Sequence, residues 1–193
     1  MEFQDVVRRR RMVRTFQPDR PVPPEVLDRI LRNATRGPSA GFSQGQAFLV
    51  LEGEDLARFW AMRPKGNDVS TAPLLIVPLS CKRVYVDRYA EPDKGWTDRD
   101  EARWPVPFWH IDTGMATLLI LQTVVDAGLG ALYFGIMPDD VPTFRETFGV
   151  PEDHEPIGAV AIGYSAEDDG TVTGSPRTRG RRATEDVVHR GKW

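Results

Sequence analysis

The chain reads as a mixed α+β or three-layer α/β domain, and three observations predict this. Two continuous apolar runs, Pro73–Leu79 and Pro156–Gly163, have the length and composition of strands covered on both faces. Amphipathic helical stretches alternate with strand-like runs along the chain. Near the middle lies Ile111–Ala127, apolar almost all round, which predicts a central buried helix.

The elements follow in order. Phe3, Val6 and Val7 fall at helical spacing and predict a short helix over residues 2–11. Pro21, Pro23 and Pro24 interrupt the chain, and Pro23-Pro24 suits a helix start. Val26, Leu27, Ile30, Leu31 and Ala34 then mark one helical face, which should end near Gly37-Pro38. The small-residue loop Pro38-Ser39-Ala40-Gly41 leads to a strand around Ala47–Leu51. Glu54–Met62 predicts a short helix, and Pro73–Leu79 a buried strand. Residues 82–107 are dense in charge and hold Trp96, Trp104, Pro92, Pro105 and Pro107. They read as a long, partly helical excursion, closer to a lid or binding loop than to core. Gly128-Leu129-Gly130 closes the buried helix, Ala131–Phe134 is a short strand, and Val141–Phe148 is a surface helix. The last 29 residues are polar and hold no core of their own. They are expected to lie along the rest of the molecule or along a partner.

A length of 193 residues suits one domain with its own core. The single cysteine, Cys81, excludes an internal disulfide and a cysteine-rich metal site. The first residues lack the apolar run of a secretory signal, and the most apolar stretch, Met115–Val125, is too short to cross a bilayer. The expected setting is cytoplasmic, with no membrane partner.

Charge is distributed unevenly. Arg8, Arg9, Arg10, Arg11 and Arg14 crowd the front, and Arg177, Arg179, Arg181 and Arg182 the back. Residues 15–176 carry 14 Lys and Arg against 24 Asp and Glu, so two basic ends frame an acidic body. This predicts that the ends come together around an anion. Guanidinium forks hold phosphate through paired hydrogen bonds; the alternative is a solvated basic face. A nucleic-acid partner is not expected, because the chain is acidic overall, with a pI of about 5.7.

Three further segments carry candidate chemistry. In Pro38-Ser39-Ala40-Gly41-Phe42-Ser43-Gln44, small residues allow close backbone approach to a flat ligand, and Ser and Gln offer donors; a plain helix-to-strand turn is the alternative. Gly135, just past the strand ending at Phe134, can present a backbone N–H to a ligand. His110 and Asp112 precede the buried helix, as a candidate acid–base group and a candidate cap. H-E-x-x-H and G-x-x-x-x-G-K-[ST] are both missing, so zinc-protease and P-loop readings have no support.

Taken together, these segments resemble the nitroreductase family of FMN-dependent oxidoreductases over nearly the whole chain. Arg10-Arg11-Met12-Val13-Arg14-Thr15-Phe16 is similar to that family's R-R-S-x-R-x-F, and Pro38–Gln44 to its P-S-A-G-N-x-Q. Asp112–Gly130 resembles its central helix ending in G-L-G. Arg179-Gly180-Arg181 followed by Glu185-Asp186-Val187-Val188-His189 resembles its closing basic-x-Arg and E-x-V-V-H.

The resemblance implies a three-layer α/β/α sandwich over residues 1–193, assembled as an intertwined homodimer. Residues 82–110 would form the lid, and the tail, 165–193, would wrap the partner. It implies FMN at the dimer interface and NAD(P)H as co-substrate. Arg10, Arg11, Arg179 and Arg181 would hold the FMN phosphate, with Met12 standing where the motif has Ser. Arg14 would sit near the pyrimidine edge of the ring. Pro38, Ser39, Ala40 and Gln44 would line the ring, some of them from the second subunit. The backbone at Phe134-Gly135 would face N5. The turnover implied is ping-pong, with hydride passing from NAD(P)H through the flavin to an electron-poor small-molecule acceptor, a nitroaromatic or quinone. Phe42 replaces a common Asn, and Gly45-Gln46 a common Pro-Trp. The competing expectations are a flavin-consuming or deazaflavin-using enzyme of the same fold, and a flavin- or nucleotide-binding protein without turnover.

Overall fold

A computed structural model of the chain describes residues 1–62, 68–167 and 174–193. Its elements are α1 (Phe3–Arg9), α2 (Pro24–Ala34), β1 (Gln46–Leu51), α3 (Gly53–Ala61), β2 (Leu74–Ser80) and α4 (Lys82–Tyr89). After these come α5 (Phe108–Asp126), β3 (Gly130–Phe134), α6 (Val141–Phe148), β4 (Glu155–Pro156) and β5 (Ala159–Gly163). The strands form one antiparallel sheet in the order β1-β2-β5-β3, and β4 pairs with the end of β2.

The apolar runs alternate between two cores, as a period of two requires. Leu75, Val77 and Leu79 of β2 and Ala159 and Ala161 of β5 face Leu56 and Phe59 of α3 and Phe144 of α6. Leu74, Ile76, Val160 and Ile162 face the other way, onto Ile30 and Ala34 of α2 and Ile120, Leu121 and Val124 of α5. Helices therefore cover both faces, which gives the expected α/β/α layering. Every residue of β2 and of β5 is buried.

Two expected boundaries change, each for a local reason. The run Pro156–Gly163 is split between β4 and β5 at Gly158, whose φ is +149°. The Tyr133 ring lies 2.6 Å from where a Cβ would stand there. The central helix starts at Phe108, one turn earlier than its apolar pattern suggests.

The burial of α5 also departs from expectation. Its inner face carries Thr113, Thr117 and Thr123, while Ile111 and Leu118 are 43% and 46% exposed in the single chain. The threonines can be buried because each hydroxyl donates to the carbonyl four residues back, at 2.7, 2.8 and 2.8 Å. By length and composition α5 is the one described helix able to cross a bilayer. Its inner face packs on α2 and β2, as in a core helix.

The front of the chain runs along the sheet edge beyond β3. Met12 bridges Ala131 in parallel register, and the Val13 N–H donates to the Ala131 carbonyl at 2.9 Å. Gly130 must lack a side chain, because Val13 stands 2.7 Å from its would-be Cβ. Phe16 bridges Ser165 in antiparallel register, so the chain leaving β5 doubles back beside the front segment. Residues 168–173 of the expected tail lie outside the described residues; 174–193 are exposed throughout.

Phe144 is fully buried, edge-on to Phe59 with ring centroids 6.3 Å apart. Phe144→Ala is expected to cost about 3–5 kcal/mol in a guanidinium unfolding titration, the usual penalty for emptying an aromatic core position.

Candidate functional site

The loop Pro38–Gln44 is fixed from below by a buried carboxylate. Asp112, 3% exposed, accepts the Ala40 N–H at 2.8 Å and the Tyr85 hydroxyl at 2.9 Å, both on Oδ2. It lies in the second turn of α5, so it does not cap that helix as its sequence position suggested. Burial first, then its bond to Asp112, pushes the Tyr85 hydroxyl above its usual range. Arg88 of α4 donates through Nε to the Gly41 carbonyl at 3.0 Å. Tyr89 closes over Gly41, where a Cβ would come within 2.6 Å of its ring. Within the loop, Ser39 Oγ accepts the Gln44 N–H at 3.0 Å, and Ser43 Oγ donates to the Ala40 carbonyl at 2.6 Å. Gly41, Phe42 and Gln44 all have φ between +55° and +60°.

The excursion is therefore anchored by α4. Tyr85 is fully buried, and Tyr89, Trp96 and Trp104 cluster with ring centroids 4.6–5.5 Å apart. Arg88–Asp93 and Arg99–Asp87 ion pairs, at 2.7 and 2.6 Å, run over its surface.

The arginine strip is organised by an acid that sequence reading missed. Glu167, with its side chain 7% exposed, pairs with Arg11. It also accepts the backbone N–H groups of Arg14 and Thr15 at 2.6 and 3.1 Å. Burial would raise its carboxyl; the Arg14 amide, the Arg11 guanidinium and the Thr15 amide outweigh burial and hold it below the usual carboxylate range. Nothing local marks Glu167, 153 residues beyond Arg14. The Arg14 guanidinium lies against Gly174, 2.6 Å from a would-be Cβ, so the tail returns to this strip. Arg179 and Arg181 follow on that tail and are exposed. Arg10 is half-buried at the end of α1.

The strip also adjoins the end of β3. The Met12 sulfur lies 3.5 Å from the Tyr133 N–H. The Phe134 ring packs inward on Phe59 and Trp60. Nothing lies within 4 Å of where a Cβ on Gly135 would stand.

Some candidates are not brought together within one chain. Ala40 is tied to Asp112 near the start of α5, whereas Arg9 and Arg11 line a cleft with Val125, Gly128 and Leu129 at its end. Fourteen residues of helix between Asp112 and Asp126 span about 21 Å. His110 lies two residues before Asp112 and so projects toward the opposite side of α5. Its Nδ1 is 2.9 Å from Ser80 Oγ and its Nε2 3.6 Å from Glu155, away from the loop. Cys81, Asp153 and His154 bring metal-type donor atoms within 4.8 Å of one another. Asp153 there is already engaged by Arg83 at 2.8 Å and by His154 at 2.7 Å, which hold its carboxyl down to about 2.

The sequence profile of the Nitroreductase family matches residues 7–71 and 62–164. A Methanothermobacter thermautotrophicus protein, provisionally named an NADH dehydrogenase/NAD(P)H nitroreductase, is 32% identical over 174 residues, covering 89% of this chain and 81% of that one. A provisionally named nitroreductase from Exiguobacterium sibiricum, solved in complex with FMN, has the same fold: TM-score 0.79, 19% identity, 98% of this chain and 97% of that one. So has a protein from Staphylococcus epidermidis provisionally named an NAD(P)H:FMN oxidoreductase, with TM-score 0.73, 17% identity, and 97% and 95% coverage. The chain belongs to the nitroreductase family.

Two outcomes are expected of these anchors. Asp112→Ala leaves the Ala40 N–H and the Tyr85 hydroxyl unpaired; it should cost about 3 kcal/mol of stability and speed hydrogen exchange at the Ala40 amide. Glu167 has a lowered folded-state pKa, so its stabilisation is present above the usual carboxylate value and lost as pH falls through its own. Thermal melts between about pH 5 and pH 3 should therefore lose more stability in the wild type than in Glu167→Gln.

Proposed function

We propose that this chain is an NAD(P)H-dependent FMN oxidoreductase of the nitroreductase type, working as a homodimer on electron-poor small molecules. The observation that carries the reading is the arginine strip hydrogen-bonded alongside β3 and pinned there by Glu167. Family membership and the names of its relatives support the same activity.

The donor set suits FMN. Arg10 and Arg11, with Arg179 and Arg181 from the tail, supply guanidinium groups for a phosphate dianion. Arg14 supplies positive charge toward the pyrimidine edge of the ring. Pro38, Ser39, Ala40 and Gln44 offer a rigid loop with small side chains. Met12, whose sulfur meets a strand amide, contributes no hydroxyl, so phosphate binding rests on the guanidinium groups. When bound, FMN supplies two-electron hydride chemistry between NAD(P)H and an acceptor.

The chain's own part is binding, orientation and electrostatics. Asp112 and Arg88 hold the loop so that it does not reorganise as reactants exchange. Turnover is ping-pong, with one face serving NAD(P)H and acceptor in turn. The excursion 82–110 shapes that face.

Two features support a homodimer. The loop and the front of the strip lie at opposite ends of α5, so a shared site takes the loop from one copy and the strip from the other. Ile111 and Leu118 on α5 and Phe3 and Val7 on α1 expose apolar surface for a second copy to cover. The tail, 165–193, exposed over 174–193, then wraps the partner as part of a single interlocked fold.

Purified protein should be yellow and oxidise NAD(P)H when given a nitroaromatic or quinone. Arg181→Ala should weaken FMN retention about 10- to 100-fold, the loss expected for charge-assisted bonds to phosphate. A colourless protein that takes up no added FMN overturns the reading.

A further inference from the structure

Phe42 is held where a bulky side chain pays for its conformation and gets no burial in return. Its φ is +56°, a left-handed backbone that costs a residue with a Cβ about 1–3 kcal/mol. Its ring is nevertheless 74% exposed, so packing within the chain does not offset that cost. The conformation is imposed from both sides. The Phe42 N–H donates to the Ser39 carbonyl at 2.9 Å, and Gly41 before it is held by Arg88 and Tyr89. On the far side, Ser43 and Gln44 are tied back to Ala40 and Ser39. The whole loop rests on buried Asp112. Such over-determined strain, on a loop next to α4 and the aromatic cluster of the excursion, fixes the backbone from which the ring projects.

We propose that Phe42 is an acceptor-binding residue whose exposed phenyl ring stacks on planar aromatic acceptors and favours them over non-aromatic oxidants. This rests on the flavin oxidoreductase reading above. The physical reason is electrostatic and hydrophobic together. A phenyl face carries excess electron density, an electron-poor nitroarene or quinone lacks it, and offset stacking of the two also buries apolar area. Ferricyanide offers no ring and gains nothing from the contact. A rigid aromatic side chain has few rotamers to lose, and here its backbone is already fixed.

The test compares flavin-loaded wild-type protein with Phe42→Ala, Phe42→Trp and Phe42→Gly. With NAD(P)H as donor, Phe42→Ala should raise KM for 4-nitrobenzoate and for 1,4-naphthoquinone about tenfold with little change in kcat. Its kcat/KM for ferricyanide, its flavin absorbance and its size-exclusion volume should stay unchanged. Phe42→Trp should restore the aromatic KM. A redox-inert planar hydroxycoumarin, titrated by its effect on flavin absorbance, should bind Phe42→Ala about tenfold more weakly. Phe42→Gly, which adopts positive φ without strain, should raise Tm while sharing the KM defect.

Equal losses with ferricyanide and the aromatic acceptors, an unchanged aromatic KM, or a shift to monomer in Phe42→Ala would each overturn the proposal. Wild-type protein that lacks bound flavin sinks the parent reading along with it. Wild-type protein that turns over normally, with Phe42→Ala indistinguishable from it, sinks the stacking role alone.

Discussion

One buried carboxylate ties together the parts of this molecule that bear on function. Asp112 Oδ2 takes a backbone N–H from the loop at Ala40 and the hydroxyl of Tyr85 on α4. The central helix, the excursion and the glycine-containing loop thereby become one rigid unit. A carboxylate buried without such donors is expensive; with both, it becomes a positioning device that apolar packing cannot replace. The positive φ values of Gly41, Phe42 and Gln44 persist because this anchor, and the Arg88 and Tyr89 contacts beside it, leave the loop no relaxed alternative.

A second acid does the same at the other end of α5. Glu167 draws Arg11 and the amides of Arg14 and Thr15 to itself, and so fixes the strip against the edge of the sheet. A strip of arginines on a free arm would repel itself. Pinned by one carboxylate and by the Val13–Ala131 ladder bond, it presents a concentrated positive field at a defined place. The two anchors are of like chemistry and opposite location. That separation is the structural ground for the proposed site shared between two copies.

Much of the fold was legible in the linear pattern. β2 and β5 announced themselves as continuous apolar runs, and Val141–Phe148 as a helix, because each is a local periodicity read against a uniform environment. The arginine strip and the Pro38–Gln44 loop were legible for the same reason. Asp112 was legible only as a residue beside a helix start. Glu167 was not legible at all, because a charge-accepting role depends on donors that lie 153 and 156 positions away. α5 was misjudged on its faces. It was expected to be buried all round, but its inner face mixes Ile120, Leu121 and Val124 with self-satisfied Thr113, Thr117 and Thr123, while Ile111 and Leu118 stand exposed in the single chain.

The sequence by itself determined the kind and order of most elements, the acidic body with its basic ends, and the family motifs, since all of these are carried by neighbours along the chain. Only the tertiary structure decided which acid pairs with which donors, and that Phe42 stands strained in solvent. Those outcomes depend on contacts between segments far apart in sequence. A hydrogen bond's partner is fixed by where the folded backbone brings two groups within about 3 Å, and no local pattern encodes that.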